Sequence, residues 1–386
     1  MSKLNLLMLN YEFPPIGGGA ANAHLFLLRQ YAGNSELNVD VLTSAPKPGF
    51  SKENFAENIT IYKVGIHKKD LHFWRKAEVI EWIFKAHFHY RRLLRENDYD
   101  LVHAFFGFPT GWLCYRSANK PVSSRVERLP YIISLRGSDV PGYNIRLGLD
   151  YKLLAGLFRR IWSGAALVVA NSNGLRKLAL EFMPALDIRV IPNGVDTGKF
   201  HPSQIQELTK PIQALTVCRL ISRKRIDLLI RAVARAKELG LDVRLNIAGH
   251  GNLMEPLRRL ADQLSIADSI AFMGAVPAER MPQLYRDNHI FVMSSAHEGM
   301  SNAMLEAMAS GLPIITTRCE GAEELIEDNG IVVEDPRAEA IAEAAKELAD
   351  NQQEYELMSI AARKRAERFS WSSTAEEYLK LYENII

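Results

Sequence analysis

The chain has 386 residues, of which 47% are hydrophobic, 9% aromatic and 24% charged, with a formal net charge of +2. That composition excludes a disordered chain, and so small a net charge points away from nucleic acid as a partner. At this length two domains are expected.

In chain order, apolar runs predict strands at 3–9, 38–43, 59–64, 100–105, 131–135, 165–170 and 188–191. A second series follows at 213–218, 243–248, 269–273, 289–294, 313–317 and 331–333. Most are apolar on successive residues, the pattern of parallel strands covered on both faces. Amphipathic runs predict helices at 20–32, 72–96, 146–163, 172–182, 225–239, 253–264, 277–287, 302–310, 336–349 and 354–368. A last helix is expected within 371–386, where Tyr378, Leu381, Tyr382 and Ile385 make an apolar stripe that needs a partner surface. Strand–helix alternation, occurring twice, means an α/β protein with two doubly wound, Rossmann-like sheets.

The alternation breaks at IPNGVDTGKFHPS (191–203), rich in Pro, Gly and Asn. Charge switches there too. Residues 1–200 hold 26 Lys and Arg against 17 Asp and Glu, whereas 201–386 hold 21 against 28. A boundary is therefore expected at 195/196. The opening residues read as a buried first strand rather than a signal peptide, and no run reaches the roughly 18–20 residues of a membrane-spanning helix. Cys114, Cys218 and Cys319 show neither metal nor disulfide spacing, which suits a reducing cytoplasm.

Three segments carry candidate chemistry. The first is YEFPPIGGGAANAH, where Gly17, Gly18 and Gly19 lie between a strand and a helix. Glycines there let the backbone approach a ligand, and the helix start favours an anion; read alone, the loop is equally a flexible turn. It matches neither the P-loop nor the GxGxxG spacing. The second is HIFVMSSAHEGMSNAMLEAMASGLP (289–313). Ser301 or Asn302 can cap a helix there, so Gly299, Met300, Ser301 and Asn302 sit at a strand-to-helix switch suited to phosphate. Glu298 and Glu306 flank it. Carboxylates repel phosphate, so their natural partners are hydroxyls. Glu306 lies on a nearly all-apolar helix and should be half-buried. The third is CRLISRKRIDLLIRAV, which brings Arg219, Arg223, Lys224 and Arg225 to the end of a strand, where an anion needs cations.

Together these segments resemble family-four retaining glycosyltransferases of the GT-B fold. The resemblance is carried by the Gly-rich loop, VIPNGVD (190–196), VCRLISRK (217–224), IAGHGN (247–252), FMGAV (272–276), EGMSNAMLEAMASGLPIITT (298–317) and EGAEELI (320–326). It implies two Rossmann-like domains facing across a cleft: an acceptor-side domain, 1–195, completed by helix 371–386 crossing back to it, and a nucleotide-sugar donor domain, 196–370. It also implies that Arg219 and Lys224 neutralise the departing diphosphate and that Glu306 binds ribose hydroxyls. Glu298, with Gly299, Met300 and Ser301, would hold the transferred sugar. Backbone around Gly249 and Val276 would meet the donor and its base, while Gly18 and Gly19 approach the diphosphate. Neither a metal nor a cofactor is implied; the substrate is a UDP- or GDP-linked sugar. One residue departs from the pattern. In ISLRGSDV (133–140) Arg136 stands where relatives often carry His, and Arg cannot serve as a base at neutral pH. It is expected either to bind a sugar hydroxyl, a carboxylated sugar or phosphate, or to partner Asp139.

The reading is a cytoplasmic transferase of envelope or exopolysaccharide glycans. An epimerase or phosphorylase on the same fold, or a nucleotide-sugar-binding protein without turnover, remains the alternative. Segment 67–95 is a basic, aromatic, amphipathic stretch in the positive half. It is either an ordinary domain helix or a surface for an anionic membrane carrying a lipid-linked acceptor. Asp98-Tyr99-Asp100 spells a metal-site DxD but reads as a turn where a helix meets a strand, and His24 and His103 read as core or rim histidines.

Overall fold

The structure, a computed structural model, describes residues 3–118, 129–202 and 207–386. The chain divides into two compact units, one of Met1–Asn193 with Trp371–Ile386 and one of Gly194–Ser370.

The first unit runs β1 (Leu4–Leu9), α1 (Gly19–Tyr31), β2 (Leu37–Ala45), β3 (Gly49–Ala56), β4 (Ile59–Gly65), α2 (Lys76–Glu96), β5 (Leu101–Phe105) and α3 (Thr110–Ala118). It continues through β6 (Tyr131–Leu135), α4 (Gly148–Ser163), β7 (Leu167–Ala170), α5 (Asn173–Phe182) and β8 (Ile188–Val190). The sheet order is β3-β4-β2-β1-β5-β6-β7-β8, parallel except for β3 against β4. The central strands β5 and β6 are buried at every residue, as unbroken apolar runs require.

The second unit runs β9 (Ile212–Val217), α6 (Ile226–Glu238), β10 (Val243–Ala248), α7 (Met254–Gln263), β11 (Ile270–Gly274), α8 (Met281–Arg286) and β12 (Ile290–Met293). Then come α9 (Asn302–Ala309), β13 (Ile314–Thr317), α10 (Ala322–Leu325), β14 (Gly330–Val333), α11 (Ala338–Asp350) and α12 (Gln352–Ala366). Its sheet is wholly parallel, in the order β11-β10-β9-β12-β13-β14.

The last helix, α13 (Trp371–Glu383), belongs to the first unit, as expected. Of its stripe, Tyr378 and Tyr382 are buried and Leu381 and Ile385 half-buried. The Tyr382 hydroxyl meets His103 Nδ1 at 2.7 Å, and the Tyr378 hydroxyl meets Ser134 Oγ at 2.9 Å. Trp371 stacks on Phe26 with ring centroids 5.2 Å apart.

Three expectations need correction. β3 was not foreseen, because GFSKENFA has no apolar run and is held by antiparallel pairing with β4. The short helices α3 and α10 are also absent from the sequence-based expectation. Within 67–95 the helix begins only at Lys76. Arg75 caps it, and Glu78 turns back to accept from the Arg75 N–H, so residues 67–75 form a loop.

Candidate functional site

The second unit reverses direction beside β9. The chain winds outward from β9 through β10 to β11, then returns to the other side of β9 for β12. At such a switch the connections leaving the two central strands go to opposite faces and open a crevice at their carboxyl ends. The loops bordering this crevice begin at Cys218 and Ser294, and they hold most of the candidate residues.

These two loops are tied to each other. Ala296 N–H donates to the Arg223 carbonyl (2.9 Å), and Ser294 Oγ donates to the carbonyls of Lys224 (3.0 Å) and Arg225 (2.8 Å). Arg225 adopts the left-handed conformation, φ 48°, and turns the chain into α6. Lys224 Nζ forms an ion pair with Glu298, and both side chains are largely shielded from solvent. Burial pushes the Glu298 carboxyl up. The charges of Lys224, Arg223 and Arg219 outweigh burial and hold it below the usual carboxylate range. Half-buried Arg219 thus acts on Glu298 through its field, as Lys224 does by contact.

The backbone of Glu298 is clamped from a third loop. Its N–H donates to Glu320 Oε2 (2.9 Å), and its carbonyl accepts from Gly321 N (2.9 Å). The other Glu320 oxygen lies 2.6 Å from His297 Nδ1. Gly321 fits because a Cβ there would stand 1.6 Å from the Gly299 carbonyl oxygen. Gly299, Met300 and Ser301 are buried and Asn302 half-buried. Ser301, not Asn302, is the cap: its Oγ accepts from Met304 N at 3.3 Å. The start of α9, with the positive end of its dipole, therefore follows directly after Glu298.

Glu306 lies one turn into α9 and is half-buried, as its apolar surroundings led us to expect. The Tyr285 hydroxyl donates to its Oε2 at 2.9 Å. Burial lifts the Glu306 pKa to about 7, although the Tyr285 hydrogen bond and the Lys199 charge pull the other way. Gly249 follows β10 at φ +142°, where a Cβ would meet the Cys218 carbonyl oxygen at 1.8 Å, so this loop lies directly on the one leaving β9. Val276 follows β11 and packs half-buried against the apolar cluster that includes α9.

The first unit has its own switch, between β1 and β5. The Gly-rich loop leaves β1 there. Gly18 caps α1, and a Cβ on Gly19 would meet nothing within 4 Å. Gly17 is tied to the loop before α2, its N–H donating to the Leu71 carbonyl (2.8 Å) and its carbonyl lying 2.8 Å from His72 Nδ1. Arg136 directly follows β6. Its guanidinium lies over the Phe105 ring, 4.4 Å from the centroid, and donates to Asn193 Oδ1 (3.1 Å) and the Tyr378 hydroxyl (3.4 Å). Asp139 takes the Arg136 backbone N–H at 2.9 Å rather than its side chain. In the DxD segment, Asp100 accepts from Asn5 N at 2.8 Å, a structural role. His24 and His103 are fully buried core residues.

The structure thus brings Arg219, Lys224, Glu298, Glu306 and the residues 299–302 to one switch point, with Gly249 alongside. Gly18, Gly19 and Arg136 lie in the other unit. Sequence reasoning missed Tyr285, Lys199, His297 and Glu320. His297 and Glu320 lay in segments already quoted for the site and Lys199 in the boundary stretch 191–203; only Tyr285 had no signal beyond residue type.

Residues 199–365 match the family model for glycosyl transferases group 1, and residues 17–199 match that for glycosyltransferase family 4. A GDP-mannose-dependent alpha-(1-6)-phosphatidylinositol monomannoside mannosyltransferase of Mycobacterium tuberculosis is 30% identical over 291 residues, covering 71% of this chain and 72% of the relative. Among solved structures, a sucrose-phosphate synthase from Thermosynechococcus elongatus superposes with a TM-score of 0.82 at 18% identity, over 99% of both chains. Anabaena HepE, in complex with UDP and glucose, superposes with a TM-score of 0.71 at 18% identity, over 98% of this chain and 99% of its own.

Proposed function

The chain belongs to the glycosyltransferases of group 1 and family 4, and on that premise we propose that it moves a sugar, with retention, from a nucleoside-diphosphate donor to an acceptor hydroxyl. The observation that carries this reading is the Lys224–Glu298 pair set directly before the capped start of α9 at the β9/β12 switch. A cation, a helix dipole and a carboxylate held ionised are the groups that a diphosphate with a sugar attached requires.

In the mechanism, Lys224 and Arg219 offset the charge that builds on the diphosphate as the bond from the anomeric carbon to the phosphate oxygen breaks. The positive end of α9 adds to this stabilisation. The acceptor oxygen bonds to the same face of the anomeric carbon, and its proton passes to the departing phosphate oxygen. Glu298 accepts hydroxyls of the transferred sugar, while Glu306, held by Tyr285, accepts ribose hydroxyls. Gly249 and Val276 line the donor side with backbone. Side-chain cations carry the leaving-group charge, so turnover needs no divalent metal.

The acceptor is glycan or lipid-linked, in envelope or exopolysaccharide synthesis, and the enzyme works from the cytoplasmic face of an anionic membrane. This reading is supported by the exposed row Ile80, Phe84 and Phe88 on α2 and by the excess of Lys and Arg in residues 1–200. The mycobacterial relative's name specifies a phosphatidylinositol-based acceptor, which agrees with a lipid-linked one here.

The test is release of labelled sugar from UDP-, GDP- and ADP-linked donors, with and without acceptor and with EDTA present. Acceptor-dependent transfer that survives EDTA, with the anomeric configuration of the donor kept in the product, is the expected result. A product of inverted configuration overturns the retaining mechanism. Tight donor binding without any transfer across an acceptor panel overturns the enzyme reading.

A further inference from the structure

Arg136 is a cation without an ionic counter-charge among the described residues, and its guanidinium is half-buried. The nearest carboxylate in sequence, Asp139, is fully occupied by backbone, accepting the N–H groups of Gly107 (2.7 Å), Arg136 (2.9 Å) and Gly137 (3.0 Å). Among the described residues the Arg136 side chain finds only neutral acceptors, Asn193 Oδ1 and the Tyr378 hydroxyl, and its Nε, shut off from solvent, has no partner there. The titratable groups that feel its field do not compensate it. His24 and His103 are buried around the same Phe105 ring, and burial, then the field of Arg136, keeps both imidazoles neutral. Tyr382 is likewise held in its neutral form by burial.

Such a guanidinium carries a desolvation cost that an ion pair normally offsets. Yet it is fixed in place by the Phe105 face below and by hydrogen bonds from two sides. It also stands at the carboxyl end of β6, next to β5 and the β1/β5 switch, where doubly wound sheets take ligands. A rigid planar fork with donors left over matches two oxygens of one phosphate or carboxylate.

We propose that Arg136 is the recognition residue of an oxyanion subsite in the first unit, taking a phosphate or carboxylate group carried by a substrate. The inference rests on the transferase reading only in naming that source, either the donor diphosphate or an acidic group on the acceptor.

The test is thermal shift at matched ionic strength on the full chain and on Arg136→Gln and Arg136→Lys, with inorganic phosphate, glucuronate, UDP and GDP as probes and glucose as the neutral control. Phosphate and glucuronate should stabilise the wild type and glucose should not, with affinity for both falling at least tenfold in Arg136→Gln. If UDP and GDP bind Arg136→Gln as they bind the wild type, the oxyanion belongs to the acceptor; if their affinity falls in parallel, it is the donor diphosphate. Should Arg136→Gln fail to fold, Arg136→Lys decides: it keeps the charge and loses the fork, so a severalfold loss is expected and unchanged affinity overturns the subsite. Phosphate and glucuronate binding that persists undiminished in Arg136→Gln, or is absent from the wild type, overturns it equally. Glu306→Ala in the same assay separates the two readings. Loss of UDP and GDP binding there with no effect at Arg136 leaves the transferase standing and removes the subsite alone.

Discussion

Lys224 and Glu298, 74 residues apart in the chain, form an ion pair at the carboxyl ends of adjacent strands β9 and β12. The proposed roles assign one to the leaving diphosphate and the other to the sugar, and the two charges offset each other directly. Removing Lys224 strands a shielded carboxylate, and Lys224→Met should cost about 3 kcal/mol of stability. The double variant Lys224→Met/Glu298→Gln should regain most of that, because no charge is left unpaired. Activity should behave differently, falling by about 10²–10³ in kcat for Lys224→Met and staying low in the double variant. Urea unfolding beside steady-state kinetics checks both. Equal stability of the single and double variants would remove the pair as a unit.

Much of this architecture was legible because parallel strands are written as unbroken apolar runs. YIISL of β6 is buried at all five positions, and the run alone marks it. β3 was illegible for the opposite reason, since GFSKENFA is mostly exposed and owes its conformation to a neighbour. In the site, Glu298, Glu306, Lys224 and Arg219 stood out by residue type and by position at strand ends. Their pairing did not. Nothing local to Glu306 announces Tyr285, which arrives from another helix, and Arg136 meets Tyr378 across 242 residues. Contacts set by the winding of a sheet are properties of topology, and a linear reading finds the groups without finding who faces whom.

Glu306 supplies a pH signature. Burial raises its folded pKa to about 7, whereas an unfolded carboxyl titrates near 4.3. Between these values the native state holds a proton that the unfolded state has lost, so this group makes stability fall as pH rises from about 4.5 to 7. The effect amounts to at most about 4 kcal/mol, and to less for a group that is only half-buried. Glu306→Gln should abolish that descent and be the more stable protein at pH 8. Tyr285→Phe should move the descent to higher pH, because the hydroxyl favours the ionised form. Unfolding free energies measured from pH 4 to 8 test both, and a Glu306→Gln curve parallel to wild type would contradict the assignment.

Gly321 is where the loops after β12 and β13 lean on one another. A methyl group there would overlap the Gly299 carbonyl oxygen, which belongs to backbone and cannot swing aside. Gly321→Ala should therefore displace the 298–299 segment, releasing the Glu298 N–H from Glu320 and its carbonyl from Gly321 N. The expected cost is about 1–3 kcal/mol, typical of forced overpacking. Donor affinity should fall more steeply than stability, since the start of α9 shifts with the loop. Calorimetric titration with UDP or GDP, alongside a melting curve, reads the two separately; unchanged affinity would mean that this contact does not position the site.

The α2 face makes the membrane prediction concrete. Ile80, Phe84 and Phe88 recur every fourth residue and so stand in one line, with Phe84 75% exposed, while Trp82, Ala86 and Tyr90 on the opposite face are buried in the core. Exposed Arg91 and Arg95 lie on the same helix. On α4, tied to α2 by Lys76 and Asp150 at 2.7 Å, Leu149 and Leu153 are also exposed, with Lys152 between them in sequence. Apolar side chains that protrude beside cations suit a bilayer with anionic headgroups, where the chains enter the interface and the charges stay at its surface. The protein should float with phosphatidylglycerol-containing liposomes and not with pure phosphatidylcholine, and binding should weaken as salt is raised. Phe84→Glu/Phe88→Glu should abolish flotation while leaving the melting temperature and UDP or GDP binding intact, because neither side chain is in the core. Flotation indifferent to lipid charge, or untouched by the double variant, would return α2 to the role of an ordinary solvent-facing helix. A concentration-dependent dimer lost in the same variant would assign the row to self-association instead.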